Sequence, residues 1–142
     1  MTRPLSLDDY RALARFRRAL RTFQRFSETA ARRGGLTPAQ HQLLLAIRGS
    51  ASDAGPSVGE VAEALLVRHH TASELVDRAQ QLGLVERSRS DQDGRRVQLR
   101  LTREGRQVLE GLTAVHLEEL GGLGRLLDPL AAHEPRPQET SP

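Results

Sequence analysis

A change of hydrophobic period within residues 67–102 constrains the fold of this chain most. From Ala72 onward the apolar residues recur at helical spacing, whereas from Val97 they alternate with polar residues as in a half-buried strand. Gly83 lies just past the last helical position, where a glycine usually ends a helix in a left-handed conformation. This stretch therefore predicts a helix followed by a β-hairpin. The predicted apolar face of the helix consists of Ala72, Leu75, Val76, Ala79 and Leu82.

The predicted hairpin has two short apolar runs with a turn signal between them. Residues 84–89 can pair with residues 97–101, and Asp93-Gly94 is a dipeptide typical of a turn. In the second run, Val97, Leu99 and Leu101 should point inward. A basic hairpin beside a polar helix face is the outline of a winged helix-turn-helix. In that fold the helix enters the major groove of DNA and the hairpin reaches the flanking backbone or minor groove.

Helix caps predict three further helices upstream. The first should begin after Ser6 and end at about Arg33, before a pair of glycines. Thr37, followed by proline and then by a glutamine at the third helical position, opens the second helix with a capping box. Ser57 opens a short third helix in the same way. Only two or three residues separate this third helix from the next, and two short helices joined so closely form a helix-turn-helix.

The two ends of the chain carry apolar stripes that flank the helix-turn-helix in sequence. The first helix has Leu13, Phe16, Leu20, Phe23 and Ala30 on one side, and Thr102 can cap a long last helix with a leucine seam. Gly121, Gly122 and Gly124 interrupt that seam, which predicts a break and a separate final helix. We expect the terminal helices to pack together and then against a second subunit.

These patterns predict a mainly α fold with a small β-hairpin wing, that is, a winged helix-turn-helix with N- and C-terminal dimerisation helices. We divide the chain into an N-terminal dimerisation helix (1–35), a winged helix-turn-helix DNA-binding region (36–103), C-terminal dimerisation helices (104–133) and a disordered tail (134–142).

Composition narrows the function classes. The chain has no cysteine, which excludes disulfides, thiolate metal sites and thiol redox switches. No apolar run approaches the roughly 18 residues of a membrane span, and the start lacks the apolar core of a signal peptide, so we expect a soluble cytoplasmic protein without a membrane partner. All 21 basic residues are arginine. Residues 1–33 hold nine of them against three acidic residues, an asymmetry that suits a polyanion.

Residues 36–105 resemble the MarR family of bacterial transcriptional regulators. The similar segments are L-T-P-A-Q-H-Q-L-L-L-A-I, V-G-E-V-A-E-A-L, E-L-V-D-R-A-Q-Q-L-G-L-V-E-R and D-G-R-R-V-Q-L-R-L-T-R-E-G. The last is the most specific, because it matches the wing and the start of the next helix in the family. The resemblance implies a homodimer that binds a palindromic operator, usually represses nearby genes and is released by a small molecule.

The sequence departs from the family pattern at the start of the recognition helix. Glu74 stands where many members carry a basic or small residue, and His69-His70 replace the usual Ser/Pro-type entry, so the operator sequence does not carry over. The candidate DNA contacts are polar residues of the two short helices and the hairpin. They are Ser57, Arg68, His69, His70, Thr71, Ser73, Glu74, Arg78, Arg89, Asp93, Arg95 and Arg96.

Each of these candidates has a simpler interpretation. Arg95 and Asp93 could form a weak ion pair in a solvated turn, but in the family motif the carboxylate orients the guanidinium toward the minor groove. The helix residues could be an ordinary hydrated face. We favour DNA contact, with Arg78 binding a phosphate and Glu74 accepting from cytosine N4.

A small aromatic or amphipathic anion is the expected effector. The residues assigned to it are Arg15, Arg18, His41 and His116, at a junction of the first, second and last long helices. The alternative is that the two histidines are packed in a core and that the first-helix arginines are a solvated face. The two histidines interrupt apolar faces, and an arginine of the first helix could bind a carboxylate through two hydrogen bonds.

The sequence gives less support to other function classes than to a ligand-responsive DNA-binding regulator. The sequence has no nucleophile elbow, zinc-protease motif, P-loop or dinucleotide-binding glycine pattern, so we expect neither an enzyme nor a cofactor. A nonspecific architectural DNA-binding protein would show no sequence preference. A metal-responsive regulator of the same fold is the stronger alternative, with nitrogen and oxygen ligands from His41, His116, Glu118, Glu119 and Glu28.

Overall fold

The computed structural model describes residues 3–89 and 96–131, with side chains as far as Arg125. Over these residues, five helices and one antiparallel hairpin follow one another in the predicted order, which confirms the mainly α fold with a β-hairpin. None of the described helices is long and apolar enough to span a membrane. The elements are α1 (Leu7–Arg33), α2 (Pro38–Arg48), α3 (Val58–Leu65), α4 (His69–Gln81), β1 (Val85–Arg89), β2 (Val97–Leu101) and α5 (Arg103–Ala131).

The predicted caps form at the starts of α2 and α3. The Thr37 hydroxyl accepts from the Gln40 N–H at 3.1 Å, and the Gln40 side chain accepts from the Thr37 N–H at 3.0 Å, a complete capping box. The Ser57 hydroxyl accepts from the Glu60 N–H at 3.1 Å. Each cap satisfies a backbone donor that the first helical turn leaves open, which is why these helices begin where the sequence indicates.

The start of α1 is fixed by a third cap. Asp9 accepts from the Ser6 N–H at 2.7 Å and from the Arg3 guanidinium at 2.6 Å. The Arg3 hydrogen bond, followed by the backbone and hydroxyl bonds of Ser6, holds the pKa of the Asp9 carboxyl well below its usual range. This carboxylate therefore stays ionised at the positive end of the helix dipole.

The chain forms two compact units, which we describe separately. The winged-helix unit comprises residues 28–114, and the two-helix unit comprises residues 3–27 and 115–131. The winged-helix unit is built around side chains that are removed from solvent, with the largest contributed by α2, α3, α4 and the hairpin. The largest fully buried side chains of this core are Leu43, Leu44, Val61, Val76, Val85 and Leu99.

The hairpin packs on the helices through its second strand. β1 and β2 pair in register from Val85 opposite Leu101 to Arg89 opposite Val97. On the edge of β2 that faces away from β1, the Leu99 N–H donates to the Pro56 carbonyl at 2.8 Å. Leu99 and Leu101 are buried as the alternation predicts, but Gln98 is buried as well. Strict alternation fails here because β2 contacts α2 and α3 in addition to β1.

A leucine in a left-handed conformation forms the turn of the helix-turn-helix. Leu66 has φ 56° and ψ 41° and is 92% exposed, and its N–H and that of Val67 donate to carbonyls of the last turn of α3. A glycine would take this conformation without steric cost. Gly83 does so at the end of α4, with φ 74°, as predicted.

Two expectations about the last helix and the recognition helix are wrong. α5 runs from Arg103 to Ala131 without a break, because glycines weaken a helix but keep its backbone hydrogen bonds. The predicted C-terminal helices are thus one helix over the described residues. Leu82, expected on the buried face of α4, is 60% exposed because it follows the last helical residue as the C-cap. Of the predicted α1 stripe, Phe16, Leu20, Phe23 and Ala30 are half-buried and Leu13 is 61% exposed, with Ala12 and Ala19 buried beside them. Packing of this stripe against a second subunit stays a prediction.

Candidate nucleic-acid interface

The polar face of α4 is the first component of the site. Ala72, Val76 and Ala79 are fully buried and fix the orientation of the helix, because small and branched apolar side chains at this spacing pack on one face. The opposite face is therefore open. Arg68, His69, His70, Glu74 and Arg78 are exposed, and Thr71 and Ser73 are half-buried.

The N-terminal end of α4 has no side-chain cap. Arg68 occupies the N-cap position with extended backbone, and its side chain makes no capping hydrogen bond. The first backbone N–H groups of the helix therefore remain available to another acceptor. Together with the helix dipole and the Arg68 guanidinium, they favour an anion such as a phosphate.

An arginine of β1 ties the hairpin to α4. Arg87 donates from Nη2 to Asp77 Oδ1 at 2.7 Å and from Nη1 to Gln80 Oε1 at 2.5 Å. This two-point contact fixes the hairpin base against the recognition helix. Sequence reasoning missed the role of Arg87. The available signal was the i, i+3 spacing of Asp77 and Gln80 on the polar face of α4, with an arginine in the following strand.

A second ion pair ties the hairpin to α3. Arg96, just before β2, pairs with the Glu60 carboxylate, and the Ser57 hydroxyl lies 3.3 Å from the same carboxylate. Ser57 and Arg96 were both expected to contact DNA. In this structure, each binds Glu60, so they hold the first turn of α3 and the base of the hairpin together.

The two pairs leave a distinct set of cations unneutralised. Arg87 and Arg96 have acidic partners, whereas Arg68, Arg78 and Arg89 are exposed and form no ion pair within residues 3–89 and 96–131. Within these two ranges, the interface therefore presents three guanidinium groups without an ion pair, a polar helix face and an uncapped helix start. The predictions for Asp93 and Arg95 fall outside the described residues.

The residues expected to bind an effector fall in both units. Arg15 and Arg18 line a cavity of 610 Å³ in the two-helix unit. In the same unit, His116 Nε2 lies 2.8 Å from Ser27 Oγ, and the imidazole makes edge contacts with Phe23 and Phe26 at centroid distances of 6.1 and 5.4 Å. Phe23 also lines the cavity, so His116 lies one residue behind its wall.

His41 belongs to the winged-helix unit. It is buried in the first turn of α2, where its N–H donates to the Thr37 carbonyl at 3.1 Å. Its predicted role beside His116 stays a prediction. Among the described residues, no group of three or more histidine and acidic side chains is arranged to hold a metal ion.

Solved structures of the same fold span most of this chain. The Staphylococcus aureus MepR–DNA complex matches 92% of this chain and 91% of its own, with a TM-score of 0.68 and 21% identity. AbsC of Streptomyces coelicolor, a MarR family transcriptional regulator, matches 93% and 97% with a TM-score of 0.66 and 21% identity. CouR from Rhodococcus jostii, bound to p-coumaroyl-CoA, matches 73% and 71% with a TM-score of 0.64 and 23% identity. A search of the curated proteins found no match.

By its fold, then, the chain is a winged helix-turn-helix protein. The family model for the MarR family matches residues 34–96, which include α2, α3, α4 and β1. The resemblance to the MarR family drawn from the sequence is thereby confirmed.

Proposed function

We propose that this protein is a homodimeric, sequence-specific DNA-binding repressor that leaves a palindromic operator when a small organic anion binds. The observation that carries the proposal is the exposed polar face of α4 beside a hairpin anchored by Arg87 and Arg96. A recognition element must be held rigidly to read base edges, and these two ion pairs supply that support. MepR, a structural relative, has been solved on DNA.

Each candidate side chain has a specific role in the proposal. Arg68 and Arg78, unpaired and exposed, bind phosphates on either side of the major groove. His69, His70, Thr71, Ser73 and Glu74 face the base edges, with Glu74 accepting from cytosine N4. Arg89 continues the basic surface along the hairpin. From the sequence alone, Asp93 and Arg95 are assigned to the wing contact in the minor groove.

Dimerisation is proposed through the two-helix unit. Its large apolar side chains Leu7, Tyr10, Leu13, Leu117 and Leu120 are exposed. A second copy would cover them, and two-fold symmetry would then present two copies of α4 to half-sites about one helical turn apart. This is the homodimer that the MarR resemblance leads us to expect.

The decisive experiment is selection of a binding site from random duplex DNA. We expect a palindromic site whose affinity falls steeply with salt. Arg78→Ala should weaken binding about tenfold and reduce the salt dependence by about one counterion, whereas Arg17→Ala, on exposed α1, should leave both unchanged. A best site without a repeated half, or equal binding by Arg78→Ala, would contradict the proposal.

The wing is tested by Arg95→Ala. We expect affinity for the selected site to fall about tenfold or more with the melting temperature nearly unchanged, because the contact is made to DNA and not to the fold. Equal affinity of this variant and the wild type at matched salt would rule out the wing contact.

The dimer is tested by sedimentation of Leu13→Glu. A carboxylate placed in an apolar interface should weaken dimerisation about tenfold or more and operator binding with it. Gln24→Glu, an exposed polar position on the same helix, is the matched control. A wild-type protein that sediments as a monomer at micromolar concentration would refute the dimer.

A further inference from the structure

We propose that a polar cavity of the winged-helix unit binds an acidic α-amino acid. The cavity is lined by the end of α2, the loop after it, both strands and the first turn of α5. Its volume is 320 Å³, at the lower end of the range of about 300–1,000 Å³ typical of small-molecule sites. The described residues that line it all belong to residues 28–114, so this site is separate from the cavity lined by Arg15 and Arg18.

The loop wall of this cavity is held against β2 by backbone contacts. The Leu99 N–H donates to the Pro56 carbonyl at 2.8 Å, and the Arg100 Nε–H donates to the Ala54 carbonyl at 3.3 Å. Gly55, with φ 99°, lies so close to β2 that a Cβ there would overlap the Leu99 carbonyl. The wall is therefore formed before a ligand arrives, which lowers the cost of ordering the site on binding.

Five charged side chains of both signs line the cavity without pairing. Arg48 comes from α2, Arg100 from β2 and Arg106 from α5, and the acidic residues are Asp53 in the loop and Glu86 in β1. None of the five forms an ion pair within residues 3–89 and 96–131. The cavity thus keeps opposite charges apart, and a ligand that carries both signs would contact each of them.

Two of the guanidinium groups are positioned by the backbone and not by the nearby acids. Glu86 lies directly opposite Arg100 in the hairpin register, yet Arg100 donates to the loop carbonyl described above. Arg106 Nη1 donates to the Leu101 carbonyl at 3.1 Å. A guanidinium has five N–H donors, so each of these two arginines can also donate to a ligand carboxylate, through two parallel hydrogen bonds where the geometry allows.

The charges of the wall select the class of ligand. Three guanidinium groups against two carboxylates leave one net positive charge, which a ligand with one net negative charge balances. An acidic α-amino acid has two carboxylates for the arginines and one ammonium group for Asp53 and Glu86. A plain dicarboxylate would bring only like charge to these two acids. Polar atoms make up most of the lining, which disfavours a ligand with a large apolar body.

The test is calorimetry on the full-length protein without DNA, with L-glutamate and L-aspartate as probes at matched salt. Glutarate, which lacks the ammonium group, and γ-aminobutyrate, which lacks the α-carboxylate, are the comparisons. We expect saturable binding of an acidic amino acid with one site per subunit, about tenfold tighter than either analogue, because each analogue loses a charged hydrogen-bonding group.

Substitutions in the wall test each half of the charge pattern. Arg48→Gln, at an exposed position, should weaken glutamate binding about fivefold to tenfold, whereas Arg103→Gln, exposed on α5 outside the cavity, should change it by less than about twofold. Glu86→Gln should narrow the difference between glutamate and glutarate, and Glu104→Gln, also outside the cavity, should leave that difference unchanged. Circular dichroism would verify that the four variants are folded.

Four results would overturn the assignment. They are the absence of saturable binding by both amino acids at millimolar concentration, equal affinity for glutarate, equal weakening by Arg48→Gln and Arg103→Gln, and an unchanged preference for glutamate in Glu86→Gln. The binding does not rest on the proposed function, and the operator selection is an independent measurement. Amino-acid binding by a protein without an operator would refute the regulator and keep this site, and operator binding without amino-acid binding would do the reverse.

Discussion

The winged-helix unit and the two-helix unit differ most in how far their large apolar side chains are buried. In the winged-helix unit, leucines and valines from α2, α3, α4 and both strands are buried together. In the two-helix unit, the buried residues are small or polar, namely Ala12, Ala19 and His116, among the residues described. The leucines of that unit are largely at the surface.

This difference follows from the number of layers in each unit. An amphipathic helix buries its apolar stripe only where a second layer covers it, and two helices alone cover only one side of each other. Leu13 and Leu120 are therefore exposed, although the sequence places them in an apolar stripe and in a leucine seam. The winged-helix unit is complete as a single chain, whereas the two-helix unit has the composition of half an interface.

Substitution of Leu44 should produce the largest effect on stability. This side chain is fully buried in α2, so Leu44→Ala removes apolar contacts and leaves a cavity, at a cost of about 2–5 kcal/mol in the free energy of unfolding. Leu45→Ala, at the next position and half exposed, should cost about 1 kcal/mol or less. Urea denaturation measures both. Equal losses would contradict the packed core of the winged-helix unit, because burial of Leu44 would then contribute no more than the half-exposed Leu45.

Gly105, in the first turn of α5, tests the close approach of this helix to Leu84, the residue before β1. A Cβ at this position would overlap the backbone carbonyl of Leu84, which cannot move aside as a side chain could. Gly105→Ala should therefore cost about 1–3 kcal/mol despite the higher helix propensity of alanine. Gly111→Ala lies in the same helix with open space around it and is the control, with an expected gain of about 0.5–1 kcal/mol. A stabilised Gly105→Ala variant would contradict this close approach.

Local signals predicted most of the fold. The caps at Thr37 and Ser57 and the left-handed Gly83 lie within three residues of the helix ends they define, so the sequence contains all the information needed. The change of period near residue 83 located the hairpin in the same way. These features depend on backbone hydrogen bonds and propensities between near neighbours, which a sequence displays directly.

Long-range side-chain pairing was not predictable in the same way. Arg96 was expected to contact DNA, yet it pairs with Glu60, 36 residues earlier, and the Arg87 contacts with α4 were not foreseen. Arg15 and Arg18, assigned to an effector from the sequence, line a cavity that Arg125 of α5 also lines, and the approach of Arg125 depends on the relative register of α1 and α5. Nothing in the local pattern of either segment encodes that register.

The smallest expected effect concerns the glycines that misled the helix prediction. Gly121 and Gly124 lie in the continuous α5 with negative φ, and among the described residues a Cβ at either position meets no atom within 4 Å outside the helix's own backbone. Each substitution by alanine should therefore stabilise the protein by about 0.5–1 kcal/mol, because alanine loses less backbone entropy in a helix. Thermal unfolding followed by circular dichroism measures the gain, with Gly83→Ala, at φ 74°, as the control that should lose stability. A loss at Gly121 instead would mean that another subunit approaches the helix there, because a single chain leaves that space open. Such a result would move the proposed interface onto this face of α5.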